Sequence, residues 1–177
     1  MKIVIIGSSG AGKSTLTREL AELTNFPVLH LDKVFHKYPE NIAREKLIET
    51  MRDFIAEHEN WIIDGNYGST LDERLPFADE IIWLDFSRLV ATWRVFTRSI
   101  KTRIVGENRP DMAAEFVEKW DKDYLEFLKF VWTFPEKEVP QIKEKLTEYD
   151  VWQRVIVLKN KKDKENYLKK YDRKNKN

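Results

Sequence analysis

Short apolar runs alternate along the chain with longer segments in which apolar residues recur every three or four positions. The runs are rich in β-branched residues, which is typical of parallel strands buried on both faces. They lie at residues 2–6, 26–32, 61–68, 80–85 and 154–158. The longer segments each carry one apolar stripe, as expected of helices that cover a sheet. The pattern predicts an α/β fold with a parallel sheet and helices on both faces.

Two helical segments carry large side chains at this spacing, which predicts that these side chains pack in the core. The first stripe consists of Leu89, Trp93, Phe96, Ile100 and Ile104. The second stripe, for which core packing is favoured over base stacking, consists of Phe116, Trp120, Tyr124, Phe127 and Val131. Prolines at 135 and 140 predict that another helix begins after them, over residues 141–149.

Three of the predicted strands end in an aspartate. Asp32, Asp64 and Asp85 end the second, third and fourth strands, and Gly65 breaks the chain after Asp64. Ligands of parallel sheets bind beyond the carboxyl ends of the strands, so Asp32 and Asp64 are candidate site residues. A solvated loop aspartate is the alternative for Asp32. Asp85 is either a magnesium partner or the N-cap of the next helix, and the cap is favoured.

The composition is typical of one cytoplasmic α/β domain. The 177 residues include no cysteine, which excludes disulfides, thiolate metal sites and cysteine nucleophiles. The formal net charge is +1, so global charge gives no reason to expect nucleic acid or membrane binding. The first apolar run is too short for a signal peptide, and no run reaches the length that spans a membrane.

The first predicted strand runs directly into a sequence of the form G-x-x-x-x-G-K-[ST], and a helical stripe follows it. This is the context of a phosphate-binding loop, in which glycines let backbone amides turn inward around a phosphate. The lysine adds charge for the terminal phosphates, and the hydroxyl after it suits Mg²⁺. The loop residues are Gly7, Ser8, Ser9, Gly10, Ala11, Gly12, Lys13, Ser14 and Thr15. A nucleoside triphosphate is predicted here; a Gly/Ser-rich turn without a ligand is the alternative.

Basic residues line one face of the helix predicted over residues 87–104. Arg94, Arg98 and Lys101 are spaced i, i+4 and i+7, and Arg109 follows in a Gly- and Pro-containing breaker at 106–110. We interpret this breaker as a small mobile lid. Guanidinium groups match phosphate oxygens bidentately, so together these arginines favour phosphate binding over a solvated basic face.

The end of the chain is rich in lysine. Residues 159–177 carry nine Lys/Arg against three Asp/Glu, which predicts a solvated final helix with a frayed tail and only secondarily a nucleic-acid contact. Asn160 is expected beside the nucleotide base if the last strand flanks the first. Residues 160–163 also match the N-K-x-D string that reads guanine, although a chance match in a lysine-rich segment is favoured.

On these motifs the chain resembles small P-loop kinases of the adenylate kinase and shikimate kinase type, and is most similar to topology modulation proteins. The resemblance covers about residues 1–160. Besides the phosphate loop and the arginines at 94 and 98, it is carried by residues 30–32, 64–67, 78–79, 84–86 and 109–111. It implies a three-layer P-loop NTPase fold with a five-stranded parallel sheet in the order 2-3-1-4-5. We expect a single domain over residues 1–177, with an acceptor-side insertion at about 33–59 and a lid at about 103–112.

The resemblance also implies roles for individual residues. It places Arg94 against the adenine of ATP and Arg98 on the phosphates, where Arg109 would close with it over the transferring group. It makes Asp32 the acceptor-side carboxylate, which orients or deprotonates the acceptor hydroxyl. Asp64 becomes a partner of the magnesium shell through water, alongside Ser14.

The chain departs from adenylate kinases where those enzymes grip the acceptor monophosphate. Their Asp-Gly is followed by Pro-Arg, whereas this chain has Asn66 and Tyr67. An unphosphorylated alcohol such as a nucleoside is therefore favoured as acceptor, unless Arg74 or a lid arginine supplies the grip.

The leading hypothesis is transfer of the γ-phosphoryl group of ATP, with Mg²⁺, to a small acceptor such as a nucleoside or nucleotide. The protein is expected to act as a monomer or homodimer. One alternative is a nucleic-acid-associated ATP-binding protein that affects DNA topology. A guanine-nucleotide switch is the second and weaker alternative.

Overall fold

The computed structural model describes residues 1–105 and 122–174, and the side chains of 103–105 and 172–174 lie outside the description. Short 3₁₀ turns at Gly68–Thr70, Leu75–Phe77 and Trp152–Arg154 join some of the longer elements. The strands are β1 (Lys2–Gly7), β2 (Val28–His30), β3 (Trp61–Asp64), β4 (Glu80–Leu84) and β5 (Val155–Leu158). The helices are α1 (Lys13–Thr24), α2 (Leu31–Phe35), α3 (Glu40–Glu57), α4 (Leu71–Arg74), α5 (Arg88–Val105), α6 (Lys122–Glu148) and α7 (Lys161–Lys174).

The five strands form one parallel sheet in the order β2-β3-β1-β4-β5. This confirms the predicted strand order and fold class. Successive side chains of a strand point to opposite faces, and β1 shows the consequence. Ile3 and Ile5 pack in one hydrophobic layer, whereas Val4 and Ile6 pack in the other. The sheet is therefore covered on both faces, which explains why its strands lack polar alternation.

Different helices cover the two faces of the sheet. Leu16 and Leu20 of α1 and Tyr167 of α7 pack on the layer of Ile3 and Ile5. Met51 of α3 and Phe134 of α6 pack on the other layer. The final helix is thus not simply solvated as expected, since one of its faces belongs to the core.

The stripe predicted for α5 is wrong. Leu89 and Trp93 are each 66% exposed and Phe96 is 36% exposed, whereas Ala91, Val95 and Ser99 are fully buried. The physical reason is close packing: a Cβ on Gly10 would lie 2.3 Å from the carbonyl oxygen of Ala91. Only small side chains fit on the face of α5 that approaches the phosphate loop, so the large residues turn outward. The second stripe is only partly testable, because Phe116 and Trp120 lie outside the described residues.

The helix predicted at 141–149 is not separate. It is the end of α6, which continues through Pro135 and Pro140. Val131, Phe134, Ile142 and Leu146 are buried along α6, so one apolar stripe passes both prolines in phase. Burial of this stripe outweighs the hydrogen bonds that the prolines remove.

Two aspartates are placed differently from the prediction. Asp32 lies in the first turn of α2, because β2 already ends at His30. Asp85 is not the cap of α5, which begins at Arg88. Ser87 has that role: its hydroxyl accepts from the Val90 amide at 3.4 Å, and its carbonyl accepts from the Ala91 amide at 3.0 Å.

Candidate nucleotide-binding and phosphotransfer site

The predicted phosphate loop joins the end of β1 to the start of α1. Gly10 has φ +81° and packs against the backbone of α5, a conformation and an approach that a Cβ would disturb. A turn inside the loop is closed by the Ala11 amide, which donates to the Ser8 carbonyl at 3.1 Å. The segment thus has the strand–loop–helix geometry that its sequence predicts.

Lys13 lies over this loop. Its Nζ donates to the carbonyl oxygens of Gly7 at 2.8 Å and Ser8 at 3.1 Å. These bonds hold a positive charge at the N-terminus of α1, where the helix dipole also favours an anion. The loop and Lys13 together form a site suited to phosphate groups.

Asp64 ends β3 beside the loop and is only 4% exposed. Its two carboxylate oxygens have separate partners: Oδ2 accepts from the Thr17 hydroxyl at 2.9 Å, and Oδ1 lies 2.8 Å from Nδ1 of His30. These bonds fix the orientations of the carboxylate and of the His30 imidazole ring. Our sequence interpretation gave neither Thr17 nor His30 a role, although His30 stands two residues before Asp32 in a motif that it recognised.

The side-chain oxygens of Ser14 and Asp64 are suitable ligands for Mg²⁺ or for its bound waters. The Ser14 hydroxyl is in the first turn of α1, and Asp64 is bonded to the next turn through Thr17. Hydroxyl and carboxylate oxygens are hard ligands, and Mg²⁺ keeps several of its waters when it binds to few protein groups. Each oxygen of Asp64 has a second lone pair for such a water. Among the described residues, no group of three or more His, Cys, Asp or Glu forms an all-protein metal cage.

Arg74 is a fully buried cation at this edge of the sheet. Its Nη2 donates to the Gly65 carbonyl at 2.9 Å, and Nε and Nη1 have no hydrogen-bond partner among the described residues. Burial lowers the pKa of Arg74 to about 10, opposed by the charges of Asp64 and Asp32. The guanidinium is therefore charged at neutral pH and acts as an internal counter-ion rather than an exposed anion clamp.

Asp32 faces an aromatic residue that follows β3. Burial, together with the charge of Asp32 and a hydrogen bond to it, raises the pKa of the Tyr67 phenol above its usual range. The Tyr67 ring also packs on Phe35, with 5.0 Å between centroids. Phe35 of α2 and Tyr67, which follows β3, thus form an aromatic wall beside the partly exposed carboxylate of Asp32.

The structure places Arg94 beside the phosphate loop. Its Nη1 donates to the Ala11 carbonyl at 3.4 Å, and its guanidinium lies 4.9 Å from the centroid of the Phe86 ring. Arg98 is one turn further along α5 and is half-buried. Arg109 and residues 106–112 of the expected lid lie outside the described residues.

The N-K-x-D string caps a helix. The Asn160 amide donates to Oδ2 of Asp163 at 3.0 Å, and the Asp163 backbone amide donates to Oδ1 of Asn160 at 3.0 Å. The bond to Oδ1 of Asn160 is a helix N-cap at the start of α7, and Oδ2 of Asp163 also accepts from the Lys159 backbone amide at 2.9 Å. The strand before Asn160 does not flank β1, because β4 lies between them. The condition on which Asn160 was expected beside the base is therefore not met.

Comparison with known proteins supports the P-loop kinase fold, although no family model matches the chain. A cytidylate kinase of Pyrobaculum islandicum is 28% identical over 115 residues, which cover 56% of this chain and 61% of that protein. A shikimate kinase of Rhodococcus jostii is 28% identical over 133 residues, covering 67% and 79%. The solved shikimate kinase from Acinetobacter baumannii in complex with shikimate has a TM-score of 0.59 at 16% identity, covering 96% of this chain and 89% of that one.

These similarities agree with the strand order and the loop geometry. The chain has the fold of small P-loop kinases, and its relatives in sequence are kinases of small molecules. Its match spans less than two thirds of the cytidylate kinase. No helix of the described part of the chain is long and apolar enough to cross a membrane.

Proposed function

We propose that the protein transfers the γ-phosphoryl group of ATP to a hydroxyl of a small acceptor. The observation that carries this proposal is the convergence of two kinds of group at one edge of the sheet. The phosphate loop with Lys13 lies at the end of β1, and Asp64 ends the adjacent strand β3. Asp32 lies just beyond the end of β2, the next strand along the sheet. A phosphate donor and a hydroxyl acceptor would meet between them.

The donor side neutralises and positions charge. Lys13 would exchange its two carbonyl partners for β- and γ-phosphate oxygens, and Ser14 and Asp64 would hold Mg²⁺. When bound, Mg²⁺ supplies positive charge to the β- and γ-phosphate oxygens. The position of Arg94 beside the loop supports its expected contact with the adenine. Arg98, one turn further along α5, would contact the phosphates. Arginine fingers of this kind are worth on the order of 10³–10⁵ in rate, and Arg109 is proposed as a second one.

The acceptor side supplies a base and a shaped wall. Asp32 would orient or deprotonate the acceptor hydroxyl, which is typically worth about 10²–10⁴ in rate. Arg74 is fully buried and donates to a backbone carbonyl, so it does not present a clamp for an acceptor phosphate. This supports an unphosphorylated acceptor, such as a nucleoside or another small alcohol that packs against Tyr67 and Phe35.

We propose a cytoplasmic, adenylate kinase-like enzyme acting as a monomer or homodimer, and retain the resemblance to topology modulation proteins as a hypothesis about biological role. A direct role on DNA would rest on the lysine-rich end. Because Tyr167 and Tyr171 are buried, that role is better tested by replacing the exposed Lys162 and Lys169 than by deleting residues 160–177.

The test is product formation with Mg-ATP and three acceptor classes: nucleosides, nucleoside monophosphates and small alcohols. Mass spectrometry identifies phosphorylated products, and Lys143→Ala on the exposed face of α6 is the matched control for Lys13→Ala. We expect phosphorylation of an unphosphorylated acceptor by the wild type and the control, and none by Lys13→Ala. Equal turnover by Lys13→Ala, or no ADP formed with any acceptor class, would contradict the proposal.

A further inference from the structure

The side chain of Asn66 continues the sheet where the backbone of β3 turns away. In the parallel register, Ile5 is opposite Asp64, so Gly7 would be opposite residue 66. Gly65, with φ +136°, takes the main chain out of the strand. In place of a backbone carbonyl, Oδ1 of Asn66 accepts from the Gly7 amide at 3.3 Å.

This bond determines which way the Asn66 amide faces. The Gly7 N–H can only donate, so the atom that faces it has to be the oxygen. The NH₂ group consequently faces away from Gly7. It is buried and has no hydrogen-bond partner among the described residues. Buried polar groups are nearly always paired, so this donor requires an explanation.

The location of the donor indicates its partner. Asn66 bonds the amide of Gly7, and Lys13 bonds the carbonyl of the same residue. Asn66 also directly precedes Tyr67, which is hydrogen-bonded to Asp32, so it lies between the phosphate loop and the acceptor-side residues. The phosphoryl group being transferred is the part of the substrates that has to occupy this boundary.

We propose that Asn66 is a substrate-binding residue whose Nδ2 donates to an oxygen of the transferring γ-phosphoryl group. The inference rests on the proposed function and names a contact that distinguishes ATP from ADP. Because Nδ2 is covered, the groups around it have to rearrange when ATP binds.

The experiment compares affinities for ADP and a non-hydrolysable ATP analogue by calorimetry in the presence of Mg²⁺. Asn66→Asp retains an acceptor for the Gly7 amide but loses the donor, whereas Asn66→Ala loses both. Asn41→Asp, on the exposed side of α3, controls for the added charge. Melting temperatures and far-UV circular dichroism identify any variant that fails to fold, and Asn66→Ser is the replacement for such a variant.

We expect both Asn66 variants to lose about 10- to 100-fold in affinity for the analogue, as for a hydrogen bond to a charged group, while ADP affinity changes less than about threefold. Equal losses for ADP and the analogue would mean that Asn66 only supports the loop, and would overturn the inference. So would wild-type affinity of Asn66→Asp for the analogue. Failure of the wild type to bind either nucleotide would instead overturn the proposed function, and this inference with it.

Discussion

Gly10 offers a test of how closely the phosphate loop packs on α5. Its φ of +81° lies in the left-handed region, and a Cβ there would be 2.3 Å from the Ala91 carbonyl oxygen and 3.0 Å from Cγ2 of Val95. The first contact is with backbone, which cannot move aside as a flexible side chain can. Gly10→Ala therefore combines a conformational penalty with a steric one.

The magnitude follows from these two parts. The left-handed conformation costs a residue with a Cβ about 1–2 kcal/mol. Forcing a methyl group into a packed interior typically costs about 1–3 kcal/mol. Together they predict that Gly10→Ala lowers the free energy of unfolding by about 2–5 kcal/mol. In a domain of this size, each kcal/mol shifts the melting temperature by about 2–4 °C.

Two other glycines provide matched controls for the same substitution. Gly12 also has a positive φ of +96°, but its nearest neighbour would be Nη1 of Arg94 at 3.9 Å, so Gly12→Ala should cost only the conformational part. Nothing lies within 4 Å of a Cβ on Gly68, so Gly68→Ala should be close to neutral. Urea and thermal unfolding should rank the variants Gly68→Ala, Gly12→Ala, Gly10→Ala in falling stability. A Gly10→Ala variant as stable as Gly68→Ala would refute the packing described here.

Substitutions at three further positions test other parts of the structure. Asp32→Asn should lower kcat by about 10²–10⁴ without changing ATP affinity, and full activity on the true acceptor would remove its assigned role. Arg74→Met should destabilise the fold by about 3–5 kcal/mol in urea unfolding and Arg74→Lys by less, because only the former leaves Asp64 and Asp32 without a buried cation. Asn160→Ala should cost about 0.5–2 kcal/mol as a lost helix cap. Its ratio of ATP to GTP affinity should not change, and a selective loss of GTP affinity would revive the guanine hypothesis.

The sheet was predictable because its signals are local. Five β-branched runs and a phosphate-loop motif indicated the strands and the start of α1, and the resemblance supplied their order. The motif also indicated where Lys13 and Ser14 lie. Asp64 was placed correctly because Gly65 ends β3 directly after it.

The errors arose where tertiary contacts override a local pattern. Apolar periodicity selected the large residues of α5, but close approach to Gly10 buries Ala91 and Val95 instead. The prolines of α6 predicted a break that burial of its stripe prevents. Likewise, an arginine in sequence looks like a surface cation, and nothing local shows that Arg74 is fully buried.

Calorimetric titration with ATP and Mg²⁺ tests the central claim most directly, since every proposed role depends on phosphate binding at Lys13. We predict that the wild type and Lys143→Ala bind ATP alike and that Lys13→Ala loses at least about tenfold in affinity, or about 1.4 kcal/mol. ATP binding that is equally tight in Lys13→Ala, or absent from the wild type, would contradict this account.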